Sequence, residues 1–232
     1  MIERSLYWNY SIHMLIKSTE VKQMANNFFV KNSLYVTSVL ASIVLVITIA
    51  FWNDMPMTQR LIGIYYFLIA AHEWEELKFP GGFVELVIGM TGMPVRDMRI
   101  PKLALFFLTL YMLVLPFCIP SAHWLVIGAL VLGIIEPIAH IIAGRANPKS
   151  RIYSPGMITS FLFMIPLDIY TIWYLATWEP ITWYFWVAAV LLLLIPLFSI
   201  QRIIVVHMMN MSYKDFIRNT RNSVLGKRKI QK

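Results

Sequence analysis

Five long apolar blocks restrict what this sequence can fold into. They cover residues 34–52, 103–119, 124–143, 156–178 and 181–201. A bilayer core about 30 Å thick is crossed by a helix of roughly 20 apolar residues, so each block predicts a transmembrane helix. Charged residues make up only 14% of the chain, against about 25% in a typical soluble domain. We therefore predict an all-α, polytopic membrane protein.

A sixth span is predicted at 61–77, although it is apolar only as far as Ala71 and then reads His72-Glu73-Trp74-Glu75-Glu76. The basic residues support including it. With six spans, every Lys and Arg except Arg60 lies on the same side of the membrane. Basic residues accumulate in cytoplasmic loops, so the pattern predicts six helices with both termini in the cytosol.

The predicted organisation has three parts. Residues 1–33 form a cytosolic or interfacial segment, 34–201 the six-helix transmembrane domain, and 202–232 a basic cytosolic tail. The net charge of +8 then reflects topology and attraction to anionic membrane lipids, and a nucleic-acid partner is excluded because there is no soluble domain to bind one. From Met211 onwards the tail is either a helix on the cytosolic leaflet or a disordered, solvated segment.

Ionisable side chains inside the predicted spans form the candidate site. Residues three or four apart share a helix face, which groups His72 with Glu75 and Glu76, and Glu136 with His140. His72 lies about 18 Å along its span from Arg60, and the second group is similarly placed, so both fall in the cytosolic half of the membrane. We expect the five side chains to converge.

Three interpretations of this group are open. Polar contacts between membrane helices contribute only about 0.6 kcal/mol on average, whereas a charge at mid-membrane costs about 2.5–3.5 kcal/mol, so a purely structural role explains the group poorly. A divalent-metal site would use all five side chains as ligands, and their nitrogen and oxygen atoms suit zinc, iron or manganese. A metal-free acid–base site would use His72, Glu75 and Glu76 as catalytic groups.

The sequence resembles the family of integral membrane proteins named for an HxxEE motif. The motif is present as His72-Glu73-Trp74-Glu75-Glu76, and two further segments match the family, Phe79-Pro80-Gly81-Gly82-Phe83 and Tyr153-Ser154-Pro155-Gly156. The resemblance covers about residues 61–170. It implies a membrane enzyme with a site at these motifs and leaves the reaction open. The family pattern has an Asn shortly before the second histidine, where this chain has Glu136-Pro137.

The predicted function is that of a membrane-embedded enzyme acting on a lipid or isoprenoid-like substrate. Hydrolysis by a metal-bound water, activated by Glu75 or Glu76, is favoured over proton-shuttling isomerisation or cyclisation that starts from His72. The alternative outside enzymology is a proton- or cation-coupled transporter or an ion-sensing scaffold, because intramembrane His and Glu also build proton relays. Asp168, the remaining intramembrane charge, is expected to pair with the site or to bond backbone freed by Pro166.

Overall fold

The structure, a computed structural model, describes residues 28–92, 99–147 and 152–225. Within these ranges the chain consists of helices joined by short connections and contains no strand. This confirms the predicted all-α class. The helices are α1 (Phe28–Ala50), α2 (Met57–Leu77), α3 (Phe83–Thr91), α4 (Arg99–Thr109, Leu110–Val114 and Leu115–Cys118), α5 (Val126–Ala146), α6 (Met157–Thr159, Ser160–Met164 and Ile165–Thr177), α7 (Trp183–Ile203 and Ile204–Met208) and α8 (Tyr213–Val224). The predicted interfacial segment 1–33 lies mostly outside the described residues.

Four stretches are long and apolar enough to cross a membrane. They are Lys31–Ala50, His123–Ala146, Met157–Thr177 and Trp183–His207, and they correspond to the first and the last three predicted spans. Helix α2 has the necessary length but carries the polar motif, and the apolar part of α4 is shorter, at Phe106–Cys118. Four helices that are long and apolar enough to span a membrane indicate a membrane protein, and the count of six spans stays a prediction.

Helix α2 is central to the fold even though its span is the weakest in hydropathy. Ten of its 21 residues are buried, and it packs against α1, α5 and α6. By contrast, only 17% of the most apolar stretch of α7 is buried within the protein. A helix surrounded by protein can carry polar side chains that a lipid-facing helix cannot, so the low hydropathy of α2 follows from its position.

π-helical turns interrupt two helices just before a proline. One lies at Leu110–Val114 before Pro116, and the other at Ser160–Met164 before Pro166. Proline has no N–H to donate to the preceding turn, and a π-turn is one way in which a helix accommodates the loss. The second of these turns directly follows the part of α6 that contacts the candidate site.

Part of the basic tail forms the amphipathic helix α8. The Ser212 hydroxyl caps it by accepting from the Asp215 N–H at 3.2 Å. Lys214, Arg218 and Arg221 lie on its exposed face. Of the two conformations considered for the tail, the helical one is therefore found between residues 213 and 224, and contact with the cytosolic leaflet stays a prediction.

Candidate functional site

Four of the five predicted site residues converge on one point between α2 and α5. They are His72, Glu76, Glu136 and His140, here called the His/Glu cluster, and each offers one ligand atom within 4.8 Å of the other three. The two Nε2 atoms are 3.2 Å apart. Each lies 3.5–3.8 Å from Glu76 Oε1 and from Glu136 Oε2.

These spacings suit a single metal ion. Zinc binds histidine nitrogen and carboxylate oxygen at about 2.0–2.2 Å, so the ligand atoms of a tetrahedral site are about 3.3–3.6 Å apart. Five of the six distances within the His/Glu cluster are 3.2–3.8 Å. The cluster could therefore hold a divalent cation with little movement of its side chains.

The burial of the cluster is uneven. The side chains of His140 and His72 are 0% and 4% exposed, whereas those of Glu76 and Glu136 are 16% and 25% exposed. Phe83, from the first turn of α3, packs on the His140 ring with the ring centroids 5.1 Å apart. The glutamate side is consequently the more exposed side of the cluster.

Gly156 brings backbone against both imidazoles. A Cβ at this position would lie 2.3 Å from His140 Cε1 and 2.8 Å from His72 Cε1, closer than side-chain atoms pack. The residue also has φ of +98°, in the left-handed region that glycine adopts without strain. The segment Tyr153-Ser154-Pro155-Gly156, which carried part of the family resemblance, thus forms one wall of the site.

Glu75, predicted as a fifth ligand and as a catalytic group, is not in the His/Glu cluster. On a helix Glu76 is displaced by about 40° from His72 and Glu75 by about 60° in the opposite direction, so the two glutamates face different neighbours. The Glu75 carboxylate accepts from the Ile158 and Thr159 N–H groups at 3.0 and 2.7 Å, and from the Tyr153 and Thr159 hydroxyls at 3.0 and 2.7 Å. It joins α2 to the start of α6.

Tyr153 lies in the connection that precedes α6. Burial and the hydrogen bond to Glu75 raise the pKa of Tyr153 to about 12, so its hydroxyl remains a donor at neutral pH. Tyrosine at a membrane surface often marks the interfacial belt. Here it instead supplies one of the four donors that hold Glu75.

Two hydroxyls that sequence reasoning missed contact the outer nitrogens of the histidines. Thr159 Oγ1 lies 2.8 Å from His72 Nδ1, and Ser154 Oγ lies 3.1 Å from His140 Nδ1. Ser154 falls within a segment quoted for the family resemblance, so a signal for it existed. Nothing in the sequence marks Thr159, because an intramembrane threonine is common and carries no charge.

Asp168 has neither of its predicted partners. It accepts a hydrogen bond from the Tyr65 hydroxyl, and Tyr65 lies two turns, about 11 Å, along α2 from His72. Among the described residues, Asp168 Oδ2 has no hydrogen-bond partner. The expectations of pairing with the site and of bonding freed backbone were both wrong, because a tyrosine on α2 faces Asp168 directly and hydropathy gives no sign of that pairing.

Comparison with known proteins gives one family. Residues 63–174 match the family described as proteins of unknown function with an HXXEE motif. All residues of the His/Glu cluster, together with Glu75, Ser154 and Thr159, lie inside the matched region. No curated protein and no solved structure matches the chain.

Proposed function

We propose that this chain is a membrane-embedded, metal-dependent enzyme, from the match of residues 63–174 to the HXXEE family and from the geometry of the His/Glu cluster. The metal is a divalent cation held by His72, Glu76, Glu136 and His140. The observation that carries the proposal is the convergence of these four ligand atoms within 4.8 Å of one another.

Charge supports this proposal. Buried carboxylates are costly unless they are paired or bind a metal, and the cost is higher within a membrane. Two glutamates and one divalent cation together have no net charge, whereas two neutral imidazoles leave the glutamates uncompensated. A site of two nitrogen and two oxygen ligands suits zinc, iron or manganese.

Hydrolysis is the reaction that we propose for this site. A divalent metal held there would polarise a carbonyl or phosphoryl oxygen and would make a water nucleophilic at neutral pH, with the water added to the four protein ligands. Each glutamate of the cluster has a second carboxylate oxygen, and we assign the proton-accepting role to Glu76, because it is the one of the two predicted bases, Glu75 and Glu76, that lies in the cluster. Metal-free isomerisation or cyclisation that starts from His72 is the alternative chemistry.

The proposed substrate is a lipid or an isoprenoid-like molecule. Three features support that choice. The surrounding helices expose large apolar side chains, among them Leu162, Ile169 and Trp173 on α6. The cluster is most exposed on its glutamate side, and the pattern of basic loops favours a position in the cytosolic half of the membrane. We also propose a topology of six spans with both termini in the cytosol. Helices α2 and α4 would be the two spans that complete it.

Turnover of membrane lipids tests the proposal. Cells that express the parent chain are compared by untargeted lipidomics with cells that express His72→Ala or Glu76→Gln. We expect the parent to deplete one lipid or isoprenoid pool and both variants to lose the effect, because His72→Ala removes a metal ligand and Glu76→Gln removes the charge and the proton-accepting carboxylate. His207→Ala is the matched control, since His207 is exposed and lies outside the cluster.

The enzyme proposal is abandoned if no pool changes with the parent chain and the purified protein holds no metal. A proton- or cation-coupled transporter or an ion-sensing scaffold would then explain the intramembrane cluster better. Variants that aggregate while the parent changes no lipid would indicate a structural role, because a buried group left unpaired costs about 1–3 kcal/mol.

A further inference from the structure

We propose that Thr159 and Ser154 fix both histidines of the cluster in the tautomer whose Nε2 lone pair points at the metal position. Glu75 is the positioning residue that makes Thr159 act in this way. The inference rests on the proposed metal site, and it assigns roles to three residues that do not touch the metal position.

Four hydrogen-bond donors surround the Glu75 carboxylate. Two backbone N–H groups and two hydroxyls are directed at its two oxygens. An ionised carboxylate only accepts hydrogen bonds, and four donors match its acceptor positions. The Thr159 hydroxyl has two acceptors, Glu75 Oε2 at 2.7 Å and the Gly156 carbonyl oxygen at 3.2 Å, and it donates to the nearer, charged one.

A hydroxyl has one proton, so Thr159 Oγ1 can only accept from the third partner. That partner is His72 Nδ1 at 2.8 Å, which must therefore carry a hydrogen. The result is a chain from carboxylate to hydroxyl to imidazole. Metal-binding histidines usually donate their second nitrogen to such a group, which fixes the ring and raises its basicity as a ligand.

His140 follows the same rule with a different hydroxyl. Ser154 Oγ lies 3.4 Å from the Pro155 carbonyl oxygen, to which it donates, and 3.1 Å from His140 Nδ1. The serine oxygen consequently accepts from His140 Nδ1–H. Both hydroxyls lie within residues 154–159, at the start of α6, so one segment orients both rings.

These two tautomers determine the contact between the His72 and His140 rings. With hydrogen on both Nδ1 atoms, both neutral imidazoles present a lone pair at Nε2, and these two atoms are 3.2 Å apart. A hydrogen bond between them would need a proton on one Nε2, which these tautomers do not supply. Two lone pairs at that distance repel, and a cation placed between them removes the repulsion. The hydroxyls thus prepare the site for a cation rather than for a histidine–histidine hydrogen bond.

The test measures zinc affinity and histidine tautomer in the purified chain in detergent. Zinc is titrated against a chelating indicator into metal-free parent, Thr159→Val and Thr159→Ser. We expect Thr159→Val, which keeps the shape and loses the hydroxyl, to weaken zinc binding by about 10–100-fold, as losses of such partners do. Thr159→Ser should restore binding, because it returns the oxygen.

Nitrogen-15 spectra of the metal-free protein report the tautomer of each histidine, which a change in packing alone would not alter. The parent should show His72 and His140 with hydrogen on Nδ1. The Thr159→Val variant should lose that preference at His72 alone, and Ser154→Ala at His140 alone. If Thr159→Val does not fold, Ser154→Ala still tests the proposed role of the hydroxyls at His140.

The outcomes separate this inference from the metal site itself. If the parent and His72→Ala bind zinc equally, or neither binds it, the metal site is wrong. If His72→Ala abolishes binding while Thr159→Val and Ser154→Ala bind like the parent and keep its tautomers, the metal site stands and the proposed role of the hydroxyls is overturned.

Discussion

At the scale of residues, the HxxEE motif divides its two glutamates between two tasks. Glu76 faces the His/Glu cluster, and Glu75 faces the start of α6. The four-residue spacing of His72 and Glu76 could be predicted, because it follows from helix geometry. The contacts of Glu75 could not, since its donors lie more than 75 residues away in the chain, and among them only Tyr153 belongs to a segment that the sequence singles out.

Gly156→Ala tests how closely the backbone approaches the site. The added Cβ would meet both imidazole rings, at 2.3 Å from His140 and 2.8 Å from His72, and the residue would have to keep a φ of +98°. We expect bound metal, measured by elemental analysis of the purified protein, to fall to the level of His140→Ala. The matched control is Gly89→Ala on α3, where a Cβ has no neighbouring atom within 4 Å. Metal retained in Gly156→Ala would show that the wall is farther from the rings.

At the scale of elements, a polar contact joins α2 and α6 away from the cluster. The Tyr65 hydroxyl donates to Asp168, and Gly133 on α5 leaves room for the carboxylate, since a Cβ there would lie 2.5 Å from Asp168 Oδ1. Apolar periodicity predicts that helices exist and where their faces lie. It does not predict which helices are neighbours, so this contact could not be derived from the sequence.

Two neighbouring tyrosines provide a matched test of that contact. Tyr65→Phe leaves Asp168 without its donor and should destabilise the protein by about 1–3 kcal/mol. Each kcal/mol lowers the melting temperature by about 2–4 °C in a chain of this size. Tyr66 is equally buried, but its hydroxyl has no hydrogen-bond partner among the described residues, so Tyr66→Phe should be neutral or stabilising. Equal melting temperatures in detergent for the two variants would contradict a stabilising Tyr65–Asp168 contact.

At the scale of the whole molecule, hydropathy predicts the helical membrane class and five of the spans directly, and four of these five are long apolar helices in the structure. It is least informative for α2, because that helix is buried against protein instead of lipid and carries the site. For α2, the evidence that it spans the membrane comes from the arrangement of basic residues and not from hydropathy. The residues between α2 and α4 lie on the cytosolic side in a six-span topology and on the outer side in a four-span topology. Experiment can therefore distinguish the two topologies.

Labelling with a membrane-impermeant maleimide in intact cells decides between these topologies. In a Cys118→Ser background, which removes the single cysteine, Glu85→Cys and His123→Cys introduce one exposed thiol each. Six spans predict labelling at His123→Cys and protection at Glu85→Cys until the cells are opened. With four spans, both positions would be labelled from outside.

X-ray absorption at the metal edge of the purified chain tests most directly whether the His/Glu cluster holds a metal. We expect about one metal per chain, bound by two imidazole nitrogens and two carboxylate oxygens at about 2.0–2.2 Å. His140→Ala should hold less metal, and the metal that remains in it should be bound by one imidazole fewer. A parent chain without stoichiometric metal, or a metal whose amount and imidazole signal are the same in His140→Ala, would contradict the metal site.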